Sequence, residues 1–158
     1  MRTISSVLLI SVLTGVVGCG GDGATGPGKT YESIADSYAG AMVGVSQGIT
    51  LNAVFSLTIT QNAGSLSGSW SLSGDLSDGF ETVDVLGTGT LTGTVASGNN
   101  PSVNITVRTP LCPNYQAQFS GAYDSTNRRL TIAGPVDFFA DNSCNVVLSY
   151  PTTIILTR

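Results

Sequence analysis

Between Thr82 and Val95 the side chains change character at every second residue. Val83, Val85, Gly87, Gly89, Leu91, Gly93 and Val95 share one parity. Thr82, Asp84, Thr88, Thr90, Thr92 and Thr94 share the other, with Leu86 as the exception. Only an extended strand puts residues i and i+2 on one face, so the pattern predicts a strand with one apolar and one hydroxyl-bearing side. Its fourteen positions, at about 3.3 Å each, would span roughly 46 Å, too long for one flat strand. The glycines on the apolar parity predict strong coiling, or a break near 87–89. A position without a side chain is where a closing sheet bends or another chain approaches.

The same period runs through the rest of the chain. Residues 38–45 form the first predicted strand. Leu51, Ala53, Phe55, Leu57 and Ile59 follow on one face of 50–60, and Asn62-Ala63-Gly64 supplies a turn. Leu66, Gly68, Trp70 and Leu72 then face one way and five serines the other, completing a hairpin with one buried and one wet face. Further strands carry Val103, Ile105 and Val107; then Tyr115, Ala117, Phe119, Gly121 and Tyr123; then Leu130, Ile132, Gly134, Val136 and Phe138. Turn-forming residues at 97–101, 124–127 and 140–143 separate them. From Cys144 to Leu156 one parity persists across Pro151, which reads as one strand bent there or two strands meeting. Proline has no N–H to donate, so the bend is expected at an edge or a bulge. Residues 30–36 fit either one helical turn capped by Thr30 or an extended lead-in.

Eight strands follow one another if the last stretch is single, and nine if it is two. The short turns leave no room for a crossover helix, so the fold class is all-β. Strands in this order hide their edges by closing or by packing as two sheets, and eight in up-and-down order favour an antiparallel barrel. A β-sandwich is the alternative, but its immunoglobulin Cys…Trp…Cys order is missing, because Trp70 precedes both Cys112 and Cys144. Charged residues are only 10% of the chain, against about 25% in an average domain. Ser, Thr, Gly and Asn take their place, as on the wet faces of extracellular β proteins. The hairpin segment Gln61-Asn62-Ala63-Gly64-Ser65-Leu66-Ser67-Gly68 resembles those of small lipocalin- or avidin-like barrels. That resemblance implies a barrel and carries over no ligand residue, because no binding motif matches.

The chain opens differently. Arg2 precedes an apolar run, and residues 4–18 are uncharged, which reads as an export signal. Fifteen residues fall short of the roughly 18–20 that span a bilayer. The run closes on Val16-Val17-Gly18-Cys19, which resembles the bacterial lipobox. The resemblance implies diacylglycerol on the Cys19 thiol and cleavage before it, removing residues 1–18. In that family an aspartate after the cysteine retains the protein in the inner membrane. Gly20 stands there, which implies the outer membrane. Acyl chains contribute about 0.8 kcal/mol per buried CH₂, so two or three anchor a protein essentially permanently. Five of residues 20–29 are glycine, giving a flexible tether before a domain at 30–158.

With Cys19 lipidated, Cys112 in a loop and Cys144 at a strand start remain. An even pair in an oxidising space predicts one disulfide, Cys112–Cys144. The chain contains no histidine, which excludes Ser-His-Asp and Cys-His catalysis. With no His and no CxxC pair, no metal site or other cofactor is expected. Asp75, Asp78, Glu81 and Asp84 lie close in sequence, but DLSDGFE does not fit the EF-hand spacing, and solvated turn acids are the expectation. Loss of Arg2 leaves five basic against ten acidic residues, and only Arg128-Arg129 adjoin, so no nucleic-acid face is expected.

Trp70, Tyr115, Phe119, Tyr123 and Phe138 all fall on inward parities. They make either a packed core or the walls of a pocket for a small apolar ligand. The expected function is therefore a non-catalytic, lipid-anchored envelope protein that binds such a ligand. The alternative is a fully packed barrel whose loops contact an envelope protein, with Leu86 or residues beside Phe80 at the mouth. A carboxylate-dependent hydrolase is third. Oligomeric state is left open.

Overall fold

A computed structural model describes residues 28–139 and 144–158. The signal segment, Cys19, most of the tether and the turn at 140–143 lie outside the described residues. Eight strands follow in order: β1 (Asp36–Ser46), β2 (Ile49–Asn62), β3 (Ser65–Ser77), β4 (Thr82–Val95), β5 (Ser102–Thr109), β6 (Cys112–Asp124), β7 (Arg129–Phe139) and β8 (Val146–Thr157). Each pairs antiparallel with the next, and β8 returns to β1 through Ala39 opposite Thr157, closing the barrel. The sandwich alternative is thereby set aside. Closure is the physical answer to a meander with one apolar face, because it pairs the last strand with the first and turns that face into the interior.

The alternation becomes an inside and an outside. Leu51, Phe55, Leu57, Leu66, Leu91, Ile105, Leu130, Ile132, Ile154 and Leu156 are buried in one cluster. The serine row of β3 and the threonine row of β4 face solvent, with cross-strand pairs such as Ser67 opposite Thr92. An apolar interior behind a hydroxyl exterior is the reverse of a membrane-spanning barrel. No described helix is long and apolar enough to cross a membrane.

β4 runs unbroken from Thr82 to Val95 and pairs with β3 along its length, so its extra residues are taken up by the barrel's coiling. Gly87 and Gly89 serve a more particular purpose. The Trp70 indole lies across them, and its Nε1–H donates to the Arg108 carbonyl oxygen of β5 at 2.9 Å. A Cβ at Gly87 would sit 3.1 Å from the ring, and one at Gly89 only 2.5 Å from Nε1. The inward glycines of β4 are thus the lane through which a β3 side chain reaches β5.

β8 is a single strand, and no bulge falls at Pro151, which stands opposite Pro135 of β7. Two prolines facing each other cannot exchange N–H···O bonds, so their nitrogens point away from the shared ladder. Pro135 lies beyond the last described β6–β7 pair at Ala133. Pro151 lies away from the β1–β8 pair at Thr157. Both missing donors therefore point where no described ladder needs them. Two smaller expectations are corrected. Cys112 begins β6 rather than sitting in a loop, and Cys144 precedes β8 rather than opening it.

Residues 30–36 are extended, not helical. Tyr31 bridges Gly98, and the Gly98 N–H donates to the Thr30 carbonyl at 3.0 Å. Gln61 clamps this segment: its Oε1 accepts from the Ile34 N–H at 2.8 Å and its Nε2 donates to the Glu32 carbonyl at 3.0 Å. Ile34 is fully buried as a plug beneath which the Tyr38 hydroxyl donates to the Ile34 carbonyl. Burying such a side chain contributes about 1.5–3 kcal/mol. Arg158 completes this end, 3.0 Å from Asp36 and over the Tyr38 and Tyr123 rings. Burial pushes the Tyr38 phenol above its ordinary value, against the opposing pull of Arg158.

Candidate functional site

The opposite end of the barrel is open, for reasons of strand length. β5 and β6 form a short hairpin. β5 pairs with β4 only from Thr90 onward, so residues 82–89 have no described ladder partner on that side. β6 and β7 pair only where residues 120–124 meet 129–133. Beyond this, toward the open end, their ladder has lapsed. The wall is incomplete on both flanks of the β5–β6 tip.

A cavity of about 350 Å³ occupies that gap. Its floor is an aromatic stack. Phe55 stacks on Trp70, at 6.0 Å between ring centres and 27° between planes, and on Phe119 beneath, at 5.8 Å and 30°. Such offset stacking adds about 0.5–1.5 kcal/mol per pair beyond area burial. Phe138 forms the β7 wall, packed edge-on against Tyr150 at 5.8 Å. The free edge of β4 at Asp84–Gly87 forms one lip, and Leu111 and Cys112 of the hairpin tip form another. Leu86 and Leu111 are largely exposed at the mouth.

A smaller recess of about 60 Å³ continues between β6 and β7. Tyr115 closes it. Its hydroxyl donates to Asp137 Oδ2, and its ring meets Phe139 edge-on at 4.9 Å. Asp137 Oδ1 is sealed from solvent, and no described group donates to it.

A disulfide fixes this side of the mouth. Cys112 and Cys144 are bonded, with Cα atoms 5.6 Å apart. The bond ties the β5–β6 tip to the chain entering β8, and fully buried Cys112 is part of the cavity wall.

Of the residues expected to bind a ligand, Trp70, Tyr115 and Phe138 come together here. Phe119 and Tyr123 line neither space. Phe119 is buried beneath the floor, and Tyr123 belongs to the closed end, edge-on to Tyr38 at 6.4 Å. Period two assigns a face but not a depth along the barrel, and these two residues are inward at the wrong depth. Phe55 has the correct parity and is the centre of the stack. Asp137 and Phe139 have the opposite parity to Phe138, and no period-two reading selects them. They lie beyond the last β6–β7 pair, and the β7–β8 register shifts between Phe138 and Phe139.

The acidic residues near β4 divide between a turn and a ladder. Asp78 Oδ1 accepts from the Phe80 and Glu81 N–H groups, each at 2.8 Å, and so shapes the β3–β4 turn. Those bonds, that from Glu81 first, hold its carboxyl below the ordinary carboxylate range. Asp75 stands opposite Asp84 across the β3–β4 ladder. Asp124 shapes the next turn toward Asn127 in the same way, and its carboxyl is also lowered, first by the Asn127 side chain. Among the described residues no group of three potential metal ligands occurs. Comparison of the chain with protein-family models, with curated proteins and with solved structures finds no match.

Proposed function

We propose that the open end of the barrel binds a small, largely apolar ligand, and that the protein is a binding module rather than an enzyme. One observation carries this: the 350 Å³ cavity is walled by Phe55, Trp70, Leu72 and Phe138 instead of being filled by them. Ligand sites of about 300–1,000 Å³ are concave and predominantly apolar, with a few placed polar groups. Trp70 is the single tryptophan of the chain and stands in the cavity wall, so its emission reports occupancy. Titrating the oxidised full-length chain with ethylnaphthalene is expected to change Trp70 emission saturably. A linear, non-saturating response would overturn the ligand reading. The interaction-module alternative would then take its place, supported by Phe80 and Leu86, which project almost wholly into solvent near the mouth.

The lipobox resemblance completes the proposal: a mature protein anchored by acylated Cys19 in the cell envelope, in the outer membrane. The chain enters the barrel at the plugged end, where Tyr31 meets Gly98 and Ile34 is buried. A domain tethered through Cys19 would therefore hold its cavity mouth away from the bilayer, open to the surrounding space. Intact mass of the protein from its native membrane is expected to show loss of residues 1–18 and acyl mass on Cys19. A mature protein without acyl mass would remove the anchor.

A further inference from the structure

We infer that the cavity's ligand is a cationic amphiphile, an apolar body bearing a protonated amine that docks on Asp137; this rests on the binding reading above. The cavity and its recess share Asp137, and the described lining contains no Lys or Arg. Tyr115 satisfies Asp137 Oδ2 alone. Oδ1 is sealed from solvent and receives no hydrogen bond from any described group. Because Oδ1 is sealed, an ammonium reaches it only by displacing the Tyr115–Phe139 contact that closes the recess. A buried carboxylate oxygen without a donor is costly, so that exchange favours a ligand that brings one. An ammonium supplies both an N–H donor and the opposite charge, and charge-assisted bonds are about twice as strong as neutral ones. The surroundings suit the rest of such a molecule. Val136, Phe138 and Phe139 flank Asp137 along β7, and the Phe55–Trp70 stack faces them across the cavity. Aromatic faces also attract a cation held within about 6 Å. A carboxylate-bearing ligand such as a fatty acid would instead set its charge against Asp137 with no cation in the lining to offset it.

The test uses three probes with one apolar body: naphthylmethylammonium, ethylnaphthalene and naphthoate. Each is titrated into the oxidised full-length chain and followed by Trp70 emission. The ammonium is expected to bind about tenfold or more tighter than ethylnaphthalene, and naphthoate weakest. Asp137→Asn keeps the side-chain shape and an acceptor for Tyr115. It is expected to erase the ammonium preference, so that the ammonium binds no tighter than ethylnaphthalene, and a cooperative urea transition followed by Trp70 emission certifies the fold of the variant. Equal binding of all three probes, or an ammonium preference that survives Asp137→Asn, would overturn the inference and leave the apolar-cavity reading standing. Saturable binding by none of the three would remove both.

Discussion

Phe55→Ala is expected to lower the free energy of unfolding by about 3–5 kcal/mol. Phe55 is buried and is the middle ring of the Trp70–Phe55–Phe119 stack that crosses the interior from β3 through β2 to β6. Truncation removes its transfer free energy, both ring contacts and the support beneath the cavity floor. The site cannot collapse to compensate. Trp70 is held by its bond to the Arg108 carbonyl, and Phe119 packs against the backbone at Gly134, where a Cβ would lie 2.7 Å from the ring. Urea denaturation followed by Trp70 emission measures the loss. A change below about 1 kcal/mol would mean that the stack is not part of the stabilising core.

Removing the disulfide is the second large effect. Cys112 and Cys144 are separated by 32 residues. In the chain-entropy model a loop of that length contributes about 3–4 kcal/mol, so Cys112→Ser with Cys144→Ser is expected to cost that much. Reduction of the native chain should give the same shift in denaturation midpoint. The consequence is also local. The bond holds the β5–β6 tip against the chain entering β8, and that tip is one lip of the cavity. Probe affinity should therefore fall in the variant at urea concentrations where the barrel remains folded. An unchanged midpoint would show that the reduced, unfolded chain is no freer than the bonded one, and unchanged affinity would show that the lip does not depend on the bond.

The fold was largely legible because period-two alternation is a direct consequence of strand geometry. In a chain with short turns it leaves closure as the economical outcome. The β4 glycines were legible as unusual, and their inward placement pointed to close approach of another group. That the group is the Trp70 indole on its way to Arg108 was not legible. It depends on the β3–β4 register that sets Trp70 opposite Gly89. The candidate site was half legible. Trp70, Tyr115 and Phe138 follow from parity, whereas Phe119 and Tyr123 share that parity and lie at other depths. Asp137 was hidden for the opposite reason, since its parity reads as outward.

What the amino-acid sequence determined by itself is the class of the fold, the interior and exterior of each strand, and the pairing of the two domain cysteines. The first two follow from a local rule, that side chains alternate along a strand; the pairing was expected from the lipobox resemblance, and the Cys112–Cys144 bond agrees with it. The tertiary structure alone decided that the barrel is plugged at one end by Ile34 and open at the other. It also decided that Asp137, with one carboxylate oxygen sealed from solvent, belongs to the cavity lining. Both depend on where ladders stop. β5 ends before β4 does, and β6 parts from β7 beyond Ala133. Where a ladder stops is set by closing all eight strands at once, so no single stretch of sequence carries it.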